Sequence, residues 1–170
     1  MARKQWVLSP HTGGSKVPVA VQDETRRRIL CQAERHYRGL FTRIEVRFRG
    51  QFCYIDAFTE PARPSKKTLE LLNETLDEHM ARLRSTPTHL CRLRYSRGRD
   101  QWSVAFYTYS HERYEPCFFP DGEAFGSVED AFDVGAVYLR AGVSRLPRPL
   151  HRAAGLTRSC EAKHSSPRRR

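Results

Sequence analysis

The spacing of apolar residues along the chain switches between intervals of three to four and intervals of two, and each switch marks an element. From Val19 to Tyr37, the residues Ile29, Leu30, Ala33 and Tyr37 recur at helical spacing. Asp23 and Glu24 come early, basic residues late, and Gly39 stands as a stop, so an amphipathic helix is predicted. From Arg43 the period drops to two. Ile44, Val46 and Phe48 alternate with Arg43, Glu45 and Arg47, the pattern of a half-buried strand. Arg49-Gly50 predicts a tight reversal, so that "RFRGQFCYIDAF" folds back on itself. Val46 then meets Cys53 and Ile44 meets Ile55 on one face. Arg47 meets Phe52, Glu45 meets Tyr54 and Arg43 meets Asp56 on the other.

The Pro-rich stretch "FTEPARPSKK" breaks the pattern. Leu69, Leu72, Leu76, Met80 and Leu83 then restore helical spacing, which predicts an inserted helix over 67–84. A second hairpin follows, Leu90–Tyr95 and Gln101–Tyr109, joined by "SRGRD". A turn at Arg97-Gly98 aligns Cys91 with Val104 and Leu93 with Trp102, and sends Arg92, Arg94, Ser103, Ala105 and Tyr107 to the opposite face. "RYEPCFF" is a fifth strand whose Pro116 suits a sheet edge. Ser127 and Asp130 open a last helix through Val128, Ala131, Phe132, Gly135 and Tyr138. The sum is an α+β domain: a mostly antiparallel sheet of about five strands, two hairpins plus an edge strand, packed against N- and C-terminal helices with an inserted helix between the hairpins. Its core face carries Ile44, Val46, Cys53, Ile55, Cys91, Leu93, Trp102, Val104 and Phe106.

Length and composition narrow this further. A chain of 170 residues with 39% hydrophobic content builds one domain and can bury a core. The formal charge of +11 is spread unevenly. Residues 1–17, read as a flexible lead-in, hold Arg3, Lys4 and Lys16 and no acid. From Arg145 onward eight basic residues face Glu161 alone, the composition of a disordered basic tail over 145–170. That leaves 18–144, the single folded domain, with 19 basic and 18 acidic residues, nearly neutral. Weak non-specific nucleic-acid contact by the tail is one consequence. No apolar run has the roughly 18–20 residues of a membrane span, so no membrane association and a cytoplasmic location are expected. Five widely spaced cysteines fit reduced thiols better than a disulfide framework.

Both hairpins project arginines and aromatics to the same side, and this is the candidate site. Arg47, Arg92 and Arg94 would supply charge, Tyr54 and Tyr107 flat contact area, and Asp56 an orienting acceptor. Interleaved guanidinium groups and rings are what single-stranded nucleic acid uses, bases stacking on rings while arginines meet phosphates. A protein partner fits the same composition. So does a face with no partner, where Arg43–Asp56 and Arg47–Phe52 simply stabilise the sheet. A binding module is therefore the leading functional expectation, with protein or single-stranded nucleic acid as its ligand. The alternative is a hydrolytic or thiol enzyme with its site at the strand ends near His89, His111 and Cys91. His89, Cys91, Cys53 and Cys117 are the one conceivable metal set. They lack C-x-x-C or H-x-x-x-H spacing, so neither metal nor cofactor is expected.

The stretches "RFRGQFCYIDAFTEP", "HLCRLRY", "WSVAFYTYSHERYEPCFFPDG" and "FGSVEDAFDVGAVYL" together resemble a family of small uncharacterised bacterial proteins, over roughly 18–140. The resemblance implies a shared fold and carries no activity, cofactor, partner or functional residue. In topology alone, the strand-rich layout followed by an S-x-E-D-A helix start is similar to HicB-type antitoxins. That likeness implies an RNA-linked or regulatory role.

Overall fold

The computed structural model describes Ser9 and residues 11–140. The chain runs through α1 (Val19–His36), β1 (Arg43–Arg49), β2 (Phe52–Phe58), α2 (Lys66–Leu72), α3 (Leu76–Ser85), β3 (Thr88–Tyr95), β4 (Trp102–Thr108), β5 (Arg113–Cys117), α4 (Val128–Gly135) and α5 (Val137–Arg140). The strands form one antiparallel sheet in chain order, an α+β meander with β1 and β5 at its edges. Helices α1 and α4 lie side by side on one face. Ile29 and Ala33 from α1, with Ala131 and Phe132 from α4, close a core over Val46, Cys53, Ile55, Cys91, Leu93, Trp102 and Val104. Ile44 packs at its margin, and Phe106 is half-buried. The 145–170 tail lies outside the described residues.

Both hairpins keep the expected sides but shift by two residues in register. In β1–β2, Arg49 pairs with Phe52 and Val46 with Ile55, so Gly50-Gln51 is the turn rather than Arg49-Gly50. Gly50 has φ +60°, and a positive φ at the first central residue alone is the turn type whose twist matches a right-handed ribbon. In β3–β4, Tyr95 pairs with Trp102, Leu93 with Val104 and Cys91 with Phe106. The Ser96 N–H to Gln101 carbonyl bond closes a longer loop in place of a turn at Arg97-Gly98. Because side chains alternate with period two, a two-residue shift leaves every residue on its own face.

A bulge does change sides. Ile55 pairs with Cys91 but Asp56 pairs with His89, leaving Leu90 as the extra residue on β3. Leu90 and Cys91 are both fully buried. His89 is thereby thrown to the outward face, away from Cys91.

The insertion is two helices rather than one over 67–84. Asn73, with φ 52°, ends α2, and Thr75 and Glu78 form a capping box that starts α3. α2 buries nothing and α3 buries only His79, so neither face of the sheet depends on the insertion. The last helix also divides, at Ala136. Residues 11–17, counted with the flexible lead-in by composition, are part of the packed structure. The Ser15 N–H donates to the Tyr95 carbonyl at 2.8 Å and the Val17 N–H to the Gly50 carbonyl at 3.0 Å. Val17 is 1% exposed. The hairpin ends offer free carbonyls, and Val17 supplies an apolar anchor that a Gly-rich, polar stretch conceals.

Candidate functional site

The outward face is built by the even positions of β2 and the odd positions of β1, with Arg92 and Arg94 of β3 beside them. Tyr54 lies between Arg47 and Arg92, and Phe52 between Arg49 and Arg94. Guanidinium groups stack on rings throughout: Arg43 over Phe58 at 4.0 Å, Arg47 over Tyr54 at 5.8 Å, and Arg92 over Phe52 at 4.4 Å and Tyr114 at 5.0 Å. Each such pair contributes on the order of 0.5–2 kcal/mol, more where it is desolvated. The rings also pack edge to face on one another. Tyr54 meets Tyr114 at 5.6 Å, Tyr114 meets Tyr107 at 5.0 Å, and Tyr107 meets Tyr109 at 4.9 Å.

Of the residues proposed from sequence, Arg47, Tyr54, Asp56, Arg92, Arg94 and Tyr107 do share this face, but not with equal access. Arg92 and Arg94 are buried, at 6% and 5% exposure. Arg94 donates to Ser103 Oγ and to the carbonyls of Ser9 and Thr12. Burial lowers its pKa to about 10, with the charge of Arg92 adding to the effect. Both arginines therefore set the potential of the face from beneath it and are not the groups that reach solvent. Arg47 does reach it, with its side chain 53% exposed, as do Arg43 and Arg49 on the same strand.

Asp56 is the pivot. It is 1% exposed, accepting Arg47 Nη2 on Oδ2 at 2.5 Å and standing 2.6 Å from His89 Nδ1 on Oδ1. Burial pushes its pKa up, but the bonds from His89 and Arg47 outweigh that and hold it below the ordinary carboxylate range. An ionised Asp56 requires a proton on His89 Nδ1, so in the neutral ring Nε2 is the acceptor, on the far side from Asp56. The His89 ring tilts against Tyr107 at 4.7 Å, and its side chain is 32% exposed. Its backbone N–H donates to Tyr109 Oη at 2.8 Å. Burial raises the pKa of Tyr114 and takes Tyr109 to about 12, so both phenols stay protonated at neutral pH.

His89 and Tyr114 belong to this face and are not among the binding residues proposed from sequence. Strict period-two counting sends His89 to the side of Cys91, and the only sign of the bulge is the adjacent apolar pair Leu90-Cys91. Tyr114 follows from carrying the same parity onto the fifth strand, two residues before Pro116.

The three residues of the enzyme alternative do not come together. Cys91 lies in the core, its thiol donating to the Ala131 carbonyl, and burial pushes its pKa well up. His111 stands 2.9 Å from Glu115 at the β4–β5 turn, while Tyr114 next to Glu115 points to the outward rings. His89 alone belongs to the outward face. Among the described residues no group of three or more His, Cys, Asp or Glu side chains is placed to hold a metal ion. No helix there is long and apolar enough to cross a membrane.

The outward face is more basic than the nearly neutral count of the domain. The strand positions of the outward face hold Arg43, Arg47, Arg49, Arg92 and Arg94 against Glu45 and Asp56 alone. Across the sheet the charges are mixed, with Glu129, Asp130 and Asp133 on α4 beside Arg26, Arg27, Arg28 and Arg35 on α1. No protein-family model matches this chain, and neither a curated protein nor a solved structure matches it.

Proposed function

We propose that this protein is a small cytoplasmic binding module that takes single-stranded nucleic acid on the outward face of its sheet. Arg47 meets phosphate, Tyr54 and Tyr107 stack on bases, and Asp56 holds Arg47 in place. One observation carries the proposal: five arginines stand against two carboxylates on a face whose other large side chains are rings, in a domain that is neutral as a whole. Phosphate neutralisation and ring stacking are the two contributions that single strands require. The edge-to-face packing of the rings leaves less stacking surface than an open platform, which favours an acidic protein surface as the second reading.

Fluorescence anisotropy with single-stranded RNA, single-stranded DNA and duplex, measured across salt concentrations, tests this. Tyr54→Ala is expected to weaken single-strand binding by about 5- to 100-fold, the equivalent of about 1–3 kcal/mol for one stacked base. Arg47→Ala is expected to reduce the salt slope by about one. Unchanged affinity in both variants, or binding that vanishes on deleting 145–170 alone, would overturn the proposal.

A further inference from the structure

The outward face holds more than a binding surface needs. A phosphate contact requires Arg47, and stacking requires rings, but neither requires a buried carboxylate bonded to a half-exposed imidazole. Asp56 bonds Arg47 with one oxygen and His89 with the other. The guanidinium and the imidazole are thereby held side by side at the solvent surface, with the Nδ1 proton fixed and, in the neutral ring, Nε2 left to accept. Ring contact with Tyr107 at 4.7 Å and with Tyr114 at 6.5 Å limits the imidazole's rotation. That is the arrangement of a proton acceptor beside an anion-binding group.

Such a pair lacks a nucleophile of its own. The nearest thiol on β3, Cys91, is fully buried on the other side of the sheet, and Ser103 is 7% exposed and bonded to Arg94. A substrate that brings its own nucleophile resolves the difficulty, and among single strands RNA does so through its 2′-hydroxyl. We infer that the Asp56–His89–Arg47 cluster cleaves single-stranded RNA by internal transesterification; this rests on the nucleic-acid reading of the face.

His89 Nε2 takes the proton of the 2′-hydroxyl. The 2′-oxygen forms a bond to the adjacent phosphorus, and the bond from phosphorus to the 5′-oxygen of the next nucleotide breaks. Solvent protonates the departing 5′-oxygen, and His89 returns its proton to solvent. The products are a 2′,3′-cyclic phosphate and a 5′-hydroxyl, with no water consumed and nothing oxidised or reduced. Arg47 donates from its free N–H groups to a non-bridging phosphate oxygen while Nη2 stays on Asp56. Asp56 is a positioning residue, since it touches His89 and Arg47 and not the reacting atoms.

The test uses the full chain with a 5′-labelled single-stranded RNA and the DNA of the same sequence. RNA is expected to yield fragments ending in 2′,3′-cyclic phosphate, with the DNA bound and uncut. His89→Ala and His89→Gln, purified in parallel and checked by circular dichroism, are expected to lose about 100-fold or more in cleavage rate. RNA affinity should stay within a few-fold in both, and added imidazole should restore part of the rate to His89→Ala, which a structural role for His89 would not allow. Asp56→Asn, which loosens both His89 and Arg47, is expected to lower kcat and to raise KM, with Asp56→Glu recovering part of both. RNA that is bound but left intact, or cleavage that survives in the folded His89 variants, overturns the catalytic inference and leaves the binding reading standing. Failure to bind RNA overturns both.

Discussion

Gly135 meets Cys91 where α4 crosses β3, and there is no room between them. A Cβ at Gly135 would stand 2.9 Å from both Cβ and Sγ of Cys91 and 3.1 Å from the Leu90 carbonyl carbon. Helix propensity alone favours alanine by up to about 1 kcal/mol, yet the atoms in the way belong to a central strand that cannot move aside. Gly135→Ala is therefore expected to destabilise by about 1–3 kcal/mol in urea denaturation; an unchanged midpoint would mean the two elements can separate cheaply. The thiols make a second prediction at this scale. Burial raises Cys53 and Cys91 far above the ordinary range and takes Cys117 to about 11, while Cys31 is exposed. With a disulfide-exchange reagent at neutral pH and mapping by mass spectrometry, Cys31 should label first among the thiols of the described residues, and Cys53 and Cys91 only on unfolding. Fast labelling of Cys91 in the folded chain would return it to the list of reactive groups. Its inward position was legible from strand parity with Leu93; the depth of its burial under α4 was not.

At the scale of elements, the strands and the insertion differ in what holds them. Arg28 of α1 grips Glu129 of α4 through Nε and Nη2, at 2.7 and 2.5 Å, so the two covering helices are tied by charge as well as by Tyr37 against Phe132. The α2–α3 insertion has mostly its own bonds, the capping box and Glu74 with His79 at 2.6 Å and with Arg82 at 2.9 Å; beyond itself it holds the exposed pair of Arg84 with Glu60, just past β2. Its stability is accordingly local. Thr75→Ala is expected to cost about 0.5–2 kcal/mol, seen as faster hydrogen exchange in α3 with no matching change in the exchange of β3 and β4. Equal loss in both would show that the insertion supports the sheet. Periodicity reads the insertion as one helix because Leu69 to Leu83 keeps helical spacing through the break. The stop is a single residue, Asn73, whose left-handed conformation the apolar pattern does not register.

For the molecule as a whole, acid stability follows from carboxylates held low by their partners. Hydrogen bonds from Arg82 and His79 bring Glu74 to about 2, and those from His111 and Thr108 bring Glu115 to about 2. Asp56 and Glu129 are also lowered, their bonds to arginine and histidine outweighing burial. The unfolded chain binds protons at these sites from about pH 4.5 downward, before the folded chain does. Their stabilisation is thus fully present above about pH 5 and is lost as the pH falls toward 2. Urea midpoints measured from pH 7 to pH 2.5 are expected to hold level and then fall; a midpoint rising on acidification would contradict the ion-pair geometry. The acid limb should be shallower in Asp56→Asn, which has no carboxyl to protonate at that position. A nearly neutral domain can still present a basic face, because net charge is a sum over the chain whereas a binding partner meets one face.

Residue order alone determined the element types, the strand sequence and the side of the sheet on which almost every residue falls, because those depend on local periods of two and of three to four. The register within each hairpin, the bulge at Leu90, the docking of 11–17 and the exposure of each arginine were settled only in three dimensions. The pairing of Asp56 with His89 and Arg47 is the sharpest case. It joins three strands through one unpaired residue on β3, and such a displacement costs the linear pattern nothing while it moves an imidazole through the sheet.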